Sequence, residues 1–78
     1  MRTVTLIGKP DCHLCDDARA IVRAVVAECG AALEERSILD DRALHDAYWE
    51  QIPVVLVDGR LHGYWRIDAD RLRAALAS

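Results

Sequence analysis

A chain of 78 residues with 53% apolar side chains has room for one packed domain, near the lower size at which a single core holds without metal or disulfide staples. Its 10 basic and 13 acidic residues give a net charge of −3 and are spread along the chain, which argues against nucleic acid or an anionic membrane as the partner. No apolar run approaches the roughly 18 residues of a membrane helix, the opening Met-Arg-Thr-Val-Thr-Leu-Ile is too short for a secretory signal, and three cysteines do not make an even disulfide framework, so a cytoplasmic chain is expected.

Thr3 to Ile7 is a β-branched and aliphatic run closed by Gly8, the pattern of a short buried strand. Lys9-Pro10-Asp11-Cys12-His13-Leu14-Cys15 follows directly. From about His13 to Cys29 the apolar residues Leu14, Ala18, Ile21, Val22, Val25, Val26 and Cys29 recur at helical spacing, with Arg19, Arg23 and Glu28 on the other side. Gly30 supplies a C-terminal stop. Leu33 to Ile38 reads as a second strand of mixed alternation, and Asp40 or Asp41 can cap a short helix through Leu44, Ala47 and Tyr48.

Ile52-Pro53-Val54-Val55-Leu56-Val57 is the most β-prone run, and Asp58-Gly59 is a two-residue hairpin turn from which Arg60 to Tyr64 should return antiparallel. Asp68 can cap a last helix that buries Ile67, Leu72, Ala75 and Leu76. The order βαβαββα predicts a single α/β domain over residues 1–78, a four-stranded mixed sheet with helices on both faces.

The C-x-x-C pair carries the chemistry. A strand-then-helix pattern around it reads as a redox-active dithiol. Cys12 falls in the loop at the mouth of the first helix and Cys15 one turn in, where residues three apart are neighbours. Unpaired N–H groups and the positive end of the helix dipole favour a thiolate, so Cys12 is expected to ionise below the ordinary thiol range and to attack. Cys15, further in and covered, would resolve the mixed disulfide. Lys9 and a protonated His13 favour the thiolate, whereas Asp11, Asp16 and Asp17 oppose it.

Other readings of the same residues are structural. A zinc half-site at Cys12 and Cys15 needs two more ligands, and Cys29 lies fourteen residues along the same helix, about 21 Å away. His45 and His62 lack paired ligand spacing, so no metal is expected. Cys29 itself reads as a small core residue near a helix end, and both histidines as surface groups. Trp65 reads either as core filling, in a chain without Phe, or as part of the surface around Cys12.

Taken together, these motifs resemble the glutaredoxin-like branch of the thioredoxin-fold family, over nearly the whole chain. Lys9 stands three residues before Cys12, Ile52-Pro53 falls where the family has Val-Pro ahead of its third strand, and Trp65-Arg66-Ile67-Asp68 follows as in small bacterial glutaredoxin-like proteins. The resemblance implies a thioredoxin-like, glutaredoxin-type fold and a disulfide oxidoreductase with Cys12 as nucleophile and Cys15 as resolving thiol. It also implies a cis Ile52–Pro53 bond beside the dithiol. Ile52 would offer backbone groups to the substrate, Trp65 would lie in the partner-binding loop, and Lys9 and His13 would flank the bound thiol.

The implied substrates are protein or small-molecule disulfides, met by a monomer and recycled by a thioredoxin-reductase-type partner, with no cofactor beyond the redox-active disulfide. Glutathione is the weaker expectation. His13-Leu14 replaces the Pro-Tyr common between the cysteines, and Gly63-Tyr64 with Trp65-Arg66-Ile67 replaces the Gly-Gly and acidic pair that receive it. A non-catalytic binding or redox-sensing module on the same fold is the alternative.

Overall fold

The computed structural model describes residues 2–77. Its elements run β1 (Thr3–Gly8), α1 (His13–Cys29), β2 (Ala32–Ser37), α2 (Arg42–Tyr48), β3 (Val54–Val57), β4 (Arg60–Tyr64) and α3 (Ala69–Ala77), the order expected from the sequence. The strands form one sheet in the order β2-β1-β3-β4. β1 pairs parallel with β2 and antiparallel with β3, and β4 returns antiparallel on β3.

The period-two alternation of the inner strands divides the core into two layers. Val4 and Leu6 of β1 and Val55 of β3 face α1, whose Ala18, Val22, Val25 and Val26 stripe meets them, and Leu72 of α3 closes the same cluster. Ile7 and Val54 face the other way, against Ile38, with Leu44 and Tyr48 of α2 packed on them. Helices therefore cover both faces. Each fully buried Val or Leu contributes about 1.5–3 kcal/mol.

Local chemistry sets the element ends. The Asp41 carboxylate accepts the N–H groups of Ala43 (2.8 Å) and Leu44 (3.3 Å) at the start of α2. Asp68 does the same for Asp70 and Arg71 at the start of α3. Gly30 ends α1 in the left-handed region, φ 68°, with its N–H donated to Val26. Asp58 and Gly59 both have positive φ, 51° and 83°, as a type I′ hairpin requires. β3 begins at Val54 rather than Ile52, since Pro53 has no N–H for the ladder.

Two local expectations are corrected and one open alternative is decided. Cys29 is exposed, not core: Val26 is already 9% exposed, and the last turn of α1 runs past the hydrophobic layer. Strict alternation fails in β4, where Val55 faces Gly63 but Leu56 faces Leu61, so His62 is the extra residue of a bulge and is half-buried. Burial lowers the His62 pKa, helped by the charge of Arg71. Of the aromatic residues, Tyr48 packs on the core, whereas Trp49, Tyr64 and Trp65 are exposed.

Leu72 is the one fully buried side chain of α3 among the described residues. Leu72→Ala is expected to lower the unfolding free energy by about 2–5 kcal/mol, read from the denaturant midpoint at unchanged slope.

Candidate active site

β1 ends at Gly8, and the chain turns through Asp11, whose φ is 58°, into an extended Cys12 that caps α1. The capping atom is sulfur: the Cys15 N–H donates to Cys12 Sγ at 3.3 Å, and the Asp16 N–H donates to the Cys12 carbonyl at 3.0 Å. A thiol thus fills a position where Ser, Thr or Asp is usual, and charge on it would face the N-terminus of a 17-residue helix. Cys12 is half-buried, Cys15 is 1% exposed, and both are free thiols.

Gly8 makes that burial feasible. A Cβ at Gly8 would lie 3.0 Å from Cys15 Sγ and 3.2 Å from its Cβ, closer than side chains normally approach. The residue reads in sequence only as a strand stop, and the helical spacing that puts Cys15 over the strand end was the available signal. Burial pushes the Cys15 thiol up to about 11, and the hydrogen bond and charge of Cys12 add to the rise. The backbone N–H of Lys9 and the charge of Arg19 pull the other way. Lys9 therefore reaches the dithiol through its main chain, while its side chain and that of His13 are exposed.

Pro53 is buried and the Ile52–Pro53 bond is cis. One step beyond the last β1–β3 pair, Ile7 with Val54, the register sets Pro53 across from Gly8, at the same end of the sheet as the cysteines. Trp65 ties the neighbouring loop to this turn: its backbone N–H donates to the Pro53 carbonyl at 2.9 Å and its indole Nε1 to the Glu50 carbonyl at 3.0 Å. Its φ of 63° costs a residue with a Cβ about 1–2 kcal/mol, so those two bonds hold a strained backbone in place.

Trp65 is 53% exposed, and its ring meets that of Tyr64 edge-on at 5.0 Å. With Leu14 and Arg66 these rings line a hollow of about 440 Å3 beside the first turn of α1. Among the described residues no three His, Cys, Asp or Glu side chains converge as metal ligands, and no helix is long and apolar enough to cross a membrane.

A four-stranded mixed sheet with a C-x-x-C pair at the mouth of its first helix defines a thioredoxin-like architecture. A mutant thioredoxin from Halobacterium salinarum NRC-1 superposes with a TM-score of 0.74 over 96% of this chain and 71% of that one, at 19% identity. The family model described as a glutaredoxin-like domain (DUF836) matches residues 3–77, and the chain belongs to that family. The crystal structure of target protein XcR50 from X. campestris is 40% identical, covers 95% of both chains and has a TM-score of 0.77. The uncharacterized protein Rv0508 of Mycobacterium tuberculosis is 29% identical over 95% of this chain and 81% of its own length.

Two outcomes follow from the buried thiol. With iodoacetamide at pH 8, peptide mapping should find Cys12 and the exposed Cys29 modified well before Cys15; equal labelling of Cys15 would contradict its burial. The folded-state pKa of Cys15 is raised from 9.0 to about 11, so the unfolded chain loses this proton first. Its stabilising contribution is full below pH 9 and fades as pH rises towards 11. Urea melts of the reduced protein should show this loss, and Cys15→Ala should flatten it.

Proposed function

We propose that the protein is a thiol–disulfide oxidoreductase in which Cys12 attacks a substrate disulfide and Cys15 resolves the product. The observation that carries this reading is the division of labour between the sulfurs: one caps the helix and is half-buried, the other lies covered one turn inside. In the first step Cys12 Sγ bonds to one substrate sulfur and the other leaves as a thiol. In the second, Cys15 Sγ bonds to Cys12 Sγ and the second substrate thiol departs. The substrate disulfide gains two electrons and the protein dithiol loses them.

Substrates are disulfides of proteins or small molecules, met at the surface around Cys12. Ile52 and Pro53 form its floor and Trp65 its wall, with Lys9 and His13 on the rim. Glutathione is disfavoured as an obligatory partner, because Gly63-Tyr64 and Trp65-Arg66-Ile67 stand where glutaredoxins carry the Gly-Gly and acidic pair that receive it. Re-reduction would then fall to a thioredoxin-reductase-type system, with the protein acting as a monomer in the cytoplasm.

Cys15→Ser tests this directly. The variant should accumulate mixed disulfides through Cys12 with several proteins in a reducing-cell lysate, seen as gel shifts that collapse with dithiothreitol and vanish in Cys12→Ser. Retention of one partner by a protein with both cysteines replaced would instead indicate a docking module.

A further inference from the structure

We propose that Arg19 is a positioning residue for the second half of this exchange, its guanidinium fixed on the wall of a groove behind Cys15 so that a thiolate forms there once Cys12 is consumed. The inference rests on the oxidoreductase reading and concerns the step that reading leaves unexplained: how a covered thiol loses its proton.

The groove, about 330 Å3, is lined by Cys15 together with Gly8 and Ser37. Charged groups reach it from every side: Lys9 from the loop, Arg19 from α1, Glu35 and Arg36 from β2, and Asp40 beyond β2. Arg19 stands one turn after Cys15 and is tied from two directions. Its Nε donates to Glu35 at 2.6 Å and an Nη to Asp16 at 2.9 Å, while Arg23 takes the other Glu35 oxygen at 2.9 Å. The Arg19 side chain is only 32% exposed. Exposed ion pairs of this kind add little stability. What they do is remove the freedom of a long side chain and hold its charge at one place.

Among the described residues no charged or polar side chain is buried, so no enclosed base stands ready for the Cys15 proton. The influences that keep Cys15 protonated are its burial first, then the hydrogen bond and charge of Cys12. A mixed disulfide at Cys12 abolishes the last two. Burial is then opposed by the Lys9 N–H and the Arg19 charge, neither of which the first step disturbs. Attack at Cys12 thereby primes its neighbour. Cys15 gives its proton to solvent in the groove, its thiolate forms the bond to Cys12 Sγ, the Cys12–substrate bond breaks, and the substrate sulfur departs as a thiolate that takes up a proton from water.

Stopped-flow reaction with dithiobis(nitrobenzoate) separates the steps, since one coloured thiolate is released when Cys12 attacks and another when Cys15 resolves. The exposed Cys29 is first replaced by Ser to silence it. Arg19→Gln should leave the first release unchanged and raise the pH midpoint of the second by about one unit. At neutral pH the second release should slow about threefold, because a tenfold loss of thiolate is partly offset by the greater nucleophilicity of a more basic sulfur. Arg19→Lys should restore most of the midpoint. Glu35→Gln, which strips Arg19 of a counter-charge, should move it down, and this variant decides the matter if Arg19→Gln does not fold. An unmoved second midpoint in the folded variants overturns the role of Arg19 while leaving the oxidoreductase reading intact. Loss of the Cys12-dependent first release from the parent protein overturns both.

Discussion

The sulfur of Cys15 rests against the bare backbone of Gly8, and the arrangement of the site follows from that contact. It seats the first turn of α1 on the end of the central strand, so the helix mouth, and with it Cys12, is held at the carboxyl end of β1. Any larger residue at Gly8 would push the helix away from the sheet. The same contact removes Cys15 from water, which separates two chemically identical side chains into one available sulfur and one shielded sulfur. The difference between them comes from placement, not composition.

The rest of the interior is built to keep that contact in register. Among the described residues the fully buried ones are chiefly Val, Ile and Leu, with no aromatic ring. Branched aliphatic side chains have few rotamers, which suits a core this thin: fewer alternative packings compete with the native one. Trp49, Tyr64 and Trp65 lie at the surface, and the last two gather beside the first turn of α1. A chain with so little interior thereby keeps an apolar contact area at the surface beside the first turn of α1.

Much of this was legible in the sequence because each element carries its own local signal. The α1 stripe from Ala18 to Val26, the Asp caps, the Gly30 stop and the Asp58-Gly59 turn are each set by neighbours a few residues away. What escaped notice depends on residues distant in sequence. Gly8 reads as a strand stop until Cys15 is seen beside it. The indole of Trp65 is left exposed, and its backbone strained, by bonds to Glu50 and Pro53 that no periodicity encodes. Cys29 satisfies the helical spacing of a core residue but has no sheet left to meet. The bulge at His62 arises from pairing with β3, and the strand's own alternation gives no sign of it.

At the opposite end of the sheet, Asp58 does more than turn the hairpin. Its carboxylate accepts the Thr3 N–H and an Arg2 guanidinium bond, both at 2.9 Å, which holds it below the usual carboxylate range. The start of β1 and the β3–β4 turn are thus stitched together by one side chain. One carboxylate thereby joins the hairpin that ends at Tyr64 to the strand that ends at Gly8.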